Sequence, residues 1–260
     1  MARSKPCHYE KKRMIAIRNG YEYIFGNPLD RLNMPEFSKP FFPNLLACVI
    51  FDIDGTLARS NDLIFASFNH IAGKYLGKEL ARSEIVALFG PPEDGGLKKI
   101  LDREEVEEAM EDLCTYYEQN HAGSVSLHTG VLDVLTFLTG RQIPLAAFTG
   151  KGRRTATFTL DRLGILPYFR IVVSGSDVQR HKPDPEGISL IIDRLGIPAK
   201  QTLMVGDSVS DVKAAHAAGV PVASVLWDSL DPQAVLDASP DFRFYHPHEL
   251  LEWLRRQFTS

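Results

Sequence analysis

The sequence predicts an α/β fold, a doubly wound parallel sheet with a small inserted all-helical cap domain, and three observations support this class. From Leu45 onward, short apolar runs alternate with amphipathic helical patterns. Most of these runs show no polar alternation, which is typical of parallel strands buried on both faces. After the first run, roughly seventy residues contain helical patterns only, far more than the ~10–12 residues that a crossover between parallel strands needs.

Five apolar runs are predicted as core strands. They cover Leu46–Ile53, Ile143–Thr149, Arg170–Ser174, Thr202–Gly206 and Val222–Leu226. The helices predicted between them cover Leu132–Leu138, Arg153–Leu163, Glu186–Leu195 and Val209–Ala218. A glycine follows each of the last three helices, and glycine just past a helix end is a common left-handed stop. The resulting βαβα order places the ligand crevice at the carboxyl ends of the strands.

The helical interval is interpreted as a cap domain. Apolar residues recur at helical spacing in two stripes, and two short helices are suggested between them. The first stripe is Ile64, Phe68, Ile71 and Tyr75, the second is Val106, Met110, Leu113 and Tyr117, and the short helices are Ile85–Phe89 and Leu97–Leu101. The acidic residues around the second stripe are interpreted as its solvated face rather than as a metal site. The predicted division is an N-terminal extension over 1–44, a core over 45–60 and 127–260, and a cap over 61–126.

The N-terminal extension differs in composition from the rest of the chain. Residues 1–44 carry eight basic residues, four acidic residues and five prolines. This segment is interpreted as an irregular arm. A binding arm or an oligomer contact is the less favoured alternative.

Charge and cysteine content exclude several classes of protein. The 260 residues include 29 Lys and Arg against 33 Asp and Glu, a formal net charge of −4, so no global positive field would hold a nucleic acid. Three cysteines without a Cys-x-x-Cys pair suggest neither a disulfide framework nor a zinc site. No apolar run approaches the roughly 20 residues that span a bilayer, and no signal-peptide core follows the basic residues near Met1. We expect a cytoplasmic monomer or homodimer without nucleic-acid or membrane partners.

Two carboxylates follow the first strand, in the sequence Asp52-Ile53-Asp54-Gly55-Thr56-Leu57. Residues two apart in a strand point to the same side, so Asp52 and Asp54 face together where the strand ends, and Gly55 permits a sharp turn. Two carboxylates in this position repel each other, and a divalent cation with oxygen ligands is the economical counter-charge. A turn-capping role is an adequate alternative for Asp54 alone, but not for both carboxylates.

Three further strand ends supply matching groups. Phe148-Thr149-Gly150-Lys151 offers a hydroxyl and an accessible amide just before a helix start, an arrangement that favours an anion. His181-Lys182-Pro183-Asp184-Pro185 presents one lysine on a loop stiffened by proline. Gly206-Asp207-Ser208-Val209-Ser210-Asp211 adds a second pair of carboxylates, which an N-cap role alone does not explain. Together the four strand ends suit a metal-bound phosphoryl group that a carboxylate attacks.

These four motifs resemble those of the haloacid dehalogenase-like superfamily. Residues from about 45 to 254 are similar to its phosphoglycolate phosphatase and pyrophosphatase branch, in which a helical cap follows the first motif. The resemblance implies a Rossmann-like core in which Asp52 is the nucleophile that forms an aspartyl-phosphate and Asp54 is the acid and base. It also implies the binding groups. Asp52, the main-chain carbonyl of Asp54 and Asp207 would hold Mg²⁺, Asp211 would orient a metal-bound water or Lys182, Thr149 and the Gly150 amide would bind phosphate, and Lys182 would neutralise charge.

The chain departs from its relatives at two positions that bear on the substrate. Arg59 stands where many relatives carry an acidic residue, and Gly150 stands where phosphoglycolate phosphatases often have Asn. Phe89-Gly90-Pro91-Pro92 is similar to a loop that faces the active site in relatives, and a rigid turn between helices is the alternative interpretation.

Other polar residues near the motifs are weaker candidates. Lys151, Arg153 and Arg154 are interpreted as solvated cations at a helix start, with contact to a substrate phosphate as the alternative. His246 and His248 are interpreted as loop residues, because no third metal ligand is evident.

The function expected from the motifs and the resemblance is a Mg²⁺-dependent phosphatase. It would hydrolyse a small phosphorylated metabolite, phosphoglycolate- or pyrophosphate-like, beneath a mobile cap that closes to exclude water. A β-phosphoglucomutase-like phosphomutase that uses the same intermediate is one alternative. A non-catalytic binding protein on the same fold is another. The presence of Asp54 disfavours the dehalogenase subgroup, which lacks a carboxylate at this position.

Overall fold

The computed structural model describes residues 15–18, 21–24 and 46–258 of the chain. Ile15–Arg18 (β1) and Tyr21–Ile24 (β2) pair antiparallel, with Ile15 opposite Ile24. The other residues of the extension predicted over 1–44 lie outside the described residues.

The remaining strands form a six-stranded sheet and a small two-stranded pair. They are β3 (Cys48–Phe51), β4 (Ala58–Arg59), β5 (Ser126–Leu127), β6 (Leu145–Phe148), β7 (Phe169–Val173), β8 (Thr202–Gly206), β9 (Val222–Val225) and β10 (Phe242–Phe244). The six-stranded sheet has the order β10-β9-β8-β3-β6-β7 and all of its pairings are parallel. β3 lies between β6 and β8, so its carboxyl end is at the centre of the sheet.

The predicted fold class is confirmed. All five predicted core strands are present, and β8 has the predicted bounds. The sequence analysis missed β10, a three-residue edge strand in which exposed Arg243 separates two buried phenylalanines. It also missed the antiparallel pairing of β4 with β5, in which Ala58, before the helical interval, lies opposite Leu127, after it.

Four helices follow one another between β4 and β5, and from β5 onward the helices alternate with the strands. They are α1 (Asn61–Ile71), which continues into a π-helical segment at Ala72–Leu76, α2 (Arg82–Val86), α3 (Glu93–Leu97), α4 (Val106–Asn120), α5 (Val131–Gly140), α6 (Arg153–Arg162), α7 (Glu186–Leu195), α8 (Val209–Ala217), α9 (Pro232–Asp237) and α10 (Pro247–Gln257). Within the described residues, none is both long and apolar enough to cross a bilayer.

Both faces of the sheet are buried, as the unbroken apolar runs predict. On β3, Val49 and Phe51 join a core cluster with α5, α6 and α10. Cys48 and Ile50 point to the opposite face and join a cluster with α7, α8 and α9. The two-residue period of a strand therefore divides one apolar run between two cores.

The helices α1 to α4 pack around a third apolar cluster. Phe68 and Ile71 of α1 meet Leu113 of α4 there, together with Ile85 of α2 and Leu97 of α3. Both predicted helical stripes contribute to this cluster. The domain bounds assigned to core and cap stay predictions.

Candidate active site

The first carboxylate pair follows β3 directly. Asp52 extends the parallel ladder by donating its backbone N–H to the Val205 carbonyl at 2.9 Å. The chain then turns at Gly55, whose φ is 73°. A Cβ at this position would lie 2.3 Å from Asp207 Oδ2. Glycine therefore permits both the left-handed backbone and the close approach of a second carboxylate.

Asp52, Asp207 and Asp211 form a buried carboxylate cluster. One oxygen from each lies within 4.8 Å of the others, and the residues are 9%, 7% and 0% exposed. Asp207 accepts a hydrogen bond from the Thr56 hydroxyl at 2.9 Å. Asp211 accepts bonds from the Ser208 backbone N–H at 3.1 Å and hydroxyl at 2.6 Å, at the start of α8. The end of β8 and the start of α8 thus bring two carboxylates to Asp52.

Lys182 supplies the ammonium that faces this cluster. Its Nζ lies 2.7 Å from Asp211 Oδ1 and 3.0 Å from Asp52 Oδ1. It also lies 4.7 Å from the centroid of the Phe148 ring. Burial opposes the charge, but Asp211 and Asp52 outweigh it and raise the pKa of Lys182 above its ordinary value. The lysine is therefore a fixed positive charge at neutral pH.

One ammonium does not balance three buried carboxylates. Burial, only partly offset by Lys182, raises the pKa of Asp52 to about 7. Burial and the charges of Asp52 and Asp211 raise the pKa of Asp207 well above its ordinary value. Asp52 Oδ1 is buried. It forms an ion pair with Lys182 at 3.0 Å but accepts no hydrogen bond from the described residues. A divalent cation such as Mg²⁺ fits this group, because it prefers oxygen ligands and its charge offsets the excess.

The Asp54 side chain has different partners. Its Oδ1 accepts hydrogen bonds from the Ser60 hydroxyl at 2.5 Å and from Lys151 Nζ at 3.2 Å. Lys151 Nζ also donates to the Tyr117 hydroxyl at 2.8 Å. The Tyr117 hydroxyl lies 2.9 Å from Thr159 Oγ1. The two carboxylates of the first motif are therefore held by separate networks, one on each lysine.

Thr149 and Gly150 lie at the end of β6. The Thr149 backbone N–H donates to the Val173 carbonyl at 3.0 Å, which continues the pairing with β7. The Thr149 hydroxyl accepts a hydrogen bond from the Lys151 backbone N–H at 3.2 Å. Thr149, Gly150 and Lys151 of this turn line the same cavity as Asp52 and Asp207.

A single cavity of about 190 Å³ brings the predicted site residues together. It is lined by Asp52, Asp54, Thr149, Gly150, Lys182 and Asp207. Asp211 is fully buried and reaches the site through its ion pair with Lys182. The structure therefore gathers these residues at one place, while their individual roles stay predictions.

The cap contributes the opposite wall. Phe89, Gly90 and Pro91 line the cavity, which favours the substrate-facing interpretation of this loop over a turn alone. The Phe89 ring packs near the rings of Phe65 and Phe68, at centroid distances of 6.0 and 6.3 Å. The loop is thus attached to the apolar core of the cap.

Glu93 links the cap to the core. It is the first residue of α3, and its Oε2 accepts a hydrogen bond from the Gly152 backbone N–H at 2.6 Å. Its other oxygen accepts a bond from the Thr155 hydroxyl. A cap carboxylate therefore occupies the start of α6, where the helix dipole favours negative charge.

The interpretation of Lys151 as a solvated cation is wrong, because Lys151 is only 8% exposed and lines the cavity. In the sequence, only its position directly after Thr149-Gly150 indicated that Lys151 belongs to the site. Nothing in the sequence indicated this for Tyr117 and Glu93, because both lie in the cap and follow no core strand. Arg153 and Arg154 are exposed, and they pair with Asp177 and with two glutamates of α4, Glu111 and Glu118.

The comparisons with known proteins identify the family of this chain. A family model described as haloacid dehalogenase-like hydrolase matches residues 49–225, a stretch that includes all four motifs. The pyrophosphatase PpaX of Bacillus pumilus (strain SAFR-032) is 33% identical over 203 residues, covering 78% of this chain and 94% of that protein.

Solved structures show the same fold. A predicted phosphoglycolate phosphatase from Haemophilus somnus is 25% identical with a TM-score of 0.71, covering 80% of this chain and 97% of that one. CbbY from Rhodobacter sphaeroides, in complex with phosphate, is 20% identical with a TM-score of 0.71, covering 81% and 100%. The second likeness concerns the fold alone.

Proposed function

The chain belongs to the haloacid dehalogenase-like hydrolase family, and on that premise we propose that it is a Mg²⁺-dependent phosphatase of a small phosphorylated metabolite. The phosphatase and pyrophosphatase relatives support hydrolysis of a phosphorylated substrate. One observation carries the finer proposal. The buried Asp52 carboxylate borders the cavity beside the Lys182 ammonium, at 3.0 Å, and within the three-carboxylate cluster.

Asp52 is the proposed nucleophile. A carboxylate attacks an anionic phosphoryl group poorly unless positive charge screens the repulsion and stabilises the charge that develops. Lys182 supplies one such charge, and Asp211 holds its ammonium in place. Thr149 and the Gly150 amide border the same cavity and would bind the phosphoryl oxygens.

Asp52, Asp207 and the main-chain carbonyl of Asp54 would hold Mg²⁺. When bound, the ion would act as a Lewis acid toward the phosphoryl oxygens and offset the charge of the carboxylates. The raised pKa values of Asp52 and Asp207 support this assignment, because they reflect the cost of ionising both groups without a cation. Asp211 would keep Lys182 in place.

Asp54 is the proposed acid and base. In the first step, the phosphorus atom bonds to Asp52, its bond to the leaving oxygen breaks, and that oxygen takes the Asp54 proton. In the second step, water attacks phosphorus, gives a proton back to Asp54 and releases inorganic phosphate and free Asp52. The hydrogen bonds from Ser60 and Lys151 hold the Asp54 carboxyl group at the cavity.

The experiment that tests this function is hydrolysis of p-nitrophenyl phosphate with Mg²⁺ and with EDTA. We expect turnover in wild-type protein only with Mg²⁺, and none in Asp52→Asn. Asp62→Asn is the matched control, because Asp62 is exposed and pairs with Arg82 on the cap surface. Near-normal turnover by folded Asp52→Asn would overturn the proposed nucleophile. Folded wild-type protein without any Mg²⁺-dependent rate would favour a binding protein.

Product analysis separates the hydrolase from the phosphomutase alternative. With a hexose 1-phosphate, free phosphate supports a hydrolase, and an isomerised sugar phosphate contradicts it. The name of the PpaX relative makes pyrophosphate one candidate substrate, and phosphoglycolate is another.

A cytoplasmic location belongs to the same proposal, and the free, buried thiols of Cys48 and Cys114 are compatible with a reducing compartment.

A further inference from the structure

The cap loop, residues 89–93, packs directly against glycines of the core. A Cβ at Gly152 would lie 2.7 Å from Glu93 Oε2, and a Cβ at Gly175 would lie 3.1 Å from the Pro92 ring. Both distances are tighter than ordinary van der Waals contacts, so a larger residue would push the loop away. Glycine at these two positions therefore lets the cap loop approach the core backbone.

The core helix α6 begins without a negative group of its own. A helix start is commonly stabilised by a polar side chain at the N-cap and by acidic residues in the first turn. The N-cap of α6 is Gly152, which has no side chain to accept a hydrogen bond. Its first turn contains Arg153, Arg154 and Thr155 and no carboxylate. The sequence of α6 therefore leaves the positive end of the helix dipole uncompensated.

Glu93 supplies the missing carboxylate from the cap. In a capping box, a glutamate at the third helical position accepts the backbone N–H of the N-cap residue. Thr155 occupies that third position in α6, and the Gly152 N–H donates instead to Glu93 Oε2 at 2.6 Å. The Thr155 hydroxyl donates to the other oxygen of the same carboxylate. Both bonds exist only while the cap loop contacts the core.

The anchored carboxylate is close in sequence to the residues that form the cap wall of the cavity. Phe89, Gly90 and Pro91 line the cavity together with Glu93. Pro91 and Pro92 separate Glu93 from the other two, and proline restricts the backbone φ to about −65°. The connection therefore has little slack, and the position of Glu93 sets the distance between this wall and the catalytic groups of the core.

Building on the proposed function, we propose that Glu93 is a positioning residue that fastens the cap loop to the start of α6 in the closed state in which the phosphoryl group is transferred. The contact opens to admit substrate and release product, and it forms again over each bound substrate. Because it stabilises only the closed state, it raises the closed fraction of the substrate complex and hence the apparent affinity for substrate. Its loss weakens apparent binding before it slows the chemical step.

Glu93→Gln tests this role in steady-state kinetics with p-nitrophenyl phosphate and saturating Mg²⁺. Glutamine keeps the length of the side chain but removes the charge and leaves one acceptor oxygen for two donors. We expect KM to rise about tenfold and kcat to stay within about twofold of the wild-type value. Asp94→Asn is the matched control, because Asp94 is the next residue and pairs with Lys98 on the cap surface. An unchanged KM for Glu93→Gln would overturn the inference.

A double variant separates the cap contact from a merely structural role at α6. Glu93→Ala combined with Thr155→Glu moves the carboxylate to the third helical position, where it can accept the Gly152 N–H within the helix. This variant should regain the free energy of unfolding that Glu93→Ala alone loses, while its KM stays about tenfold above the wild-type value. A KM that returns to the wild-type value would show that Glu93 serves only α6, which contradicts the inference.

Thr155→Val keeps the test decisive if the double variant does not fold. It retains a branched side chain and removes one of the two donors to Glu93. KM should therefore rise about threefold, less than in Glu93→Gln, with kcat nearly unchanged. A wild-type KM for folded Thr155→Val would also count against the proposed contact.

The two proposals fail in different ways. If folded wild-type protein hydrolyses no phosphorylated substrate with Mg²⁺, the proposed phosphatase function is wrong, and the inference built on it is wrong as well. If hydrolysis depends on Mg²⁺ and Asp52 but Glu93→Gln keeps the wild-type KM, only the inference about Glu93 is wrong.

Discussion

The Lys151 ammonium donates a hydrogen bond to the Tyr117 hydroxyl at 2.8 Å and lies 4.1 Å from the centroid of the Tyr117 ring. Tyr117 belongs to α4 of the cap, whereas Lys151 follows β6 of the core. Burial opposes the lysine charge, but Asp54 and Tyr117 outweigh it and raise the pKa of Lys151. A cap residue therefore helps to hold the cation that contacts the proposed acid and base.

Tyr117→Phe should lower kcat while leaving KM nearly unchanged. The variant keeps the ring and removes the hydroxyl, so Lys151 loses one acceptor and holds Asp54 less firmly. A loss of ~1 kcal/mol of positioning corresponds to a roughly fivefold lower kcat. Steady-state kinetics with p-nitrophenyl phosphate measure this effect. Tyr116→Phe is the control, because Tyr116 stacks on His70 at 4.3 Å and lies outside the cavity lining. A wild-type kcat for Tyr117→Phe would contradict the positioning role.

Gly55→Ala should weaken Mg²⁺ binding, because its Cβ would meet Asp207 Oδ2 at 2.3 Å and displace that carboxylate. Gly77→Ala is the control. Gly77 has a similar φ of 63° but no heavy atom within 4 Å of the added Cβ. Both substitutions destabilise the fold by about 1–2 kcal/mol, because alanine is strained in a left-handed backbone conformation. Only Gly55→Ala also disturbs the carboxylate cluster. Titration calorimetry with Mg²⁺ distinguishes them, and equal affinities would refute the prediction.

Gly187→Ala should destabilise the fold, because the new methyl group would lie 2.2 Å from a carbon of the Phe148 ring. Overpacking of this kind costs about 1–3 kcal/mol. Gly140→Ala, also in a helix but without a heavy atom within 4 Å of its Cβ, should be neutral or stabilising by up to about 1 kcal/mol. Urea denaturation followed by circular dichroism gives both values. Equal stability of the two variants would show that α7 adjusts to the added methyl group.

His128 should make the fold less stable as the pH falls from 6.5 to 4. Burial and the charge of Arg59 lower the pKa of His128 to about 4, despite Asp228 Oδ2 at 3.4 Å from Nε2. Between these pH values the unfolded state binds a proton that the folded state excludes. This favours unfolding by up to about 1.4 kcal/mol per pH unit. Above pH 6.5 the group has no effect.

The measurement is the free energy of unfolding of wild-type protein and of His128→Asn from pH 4 to 8. The wild-type curve should fall more steeply below pH 6.5 than the curve of the variant. His248→Asn, at an exposed position, is the control and should follow the wild type. Parallel wild-type and His128→Asn curves would mean that the buried imidazole takes up a proton without cost.

The strands and the site residues of the core could be predicted from the sequence because the sheet is parallel and buried on both faces. Unbroken apolar runs identify buried parallel strands, and the carboxyl ends of such strands meet at one edge of the sheet. Asp52, Thr149, Lys182 and Asp207 could therefore be placed together from the sequence. β10 was not predicted, because it has only three residues and an exposed arginine in the middle, which is too short for a recognisable hydrophobic pattern.

The amino-acid sequence was enough to predict the fold class, the helical character of the cap and the residues that follow each strand. Two contacts became evident only in the folded chain: Lys151, and not the carboxylate cluster, holds Asp54, and Glu93 reaches the start of α6. Helical spacing determines which face of a helix is apolar, but not which distant surface that face meets. Contacts between cap and core depend on how separately formed elements dock, and no local pattern encodes that geometry.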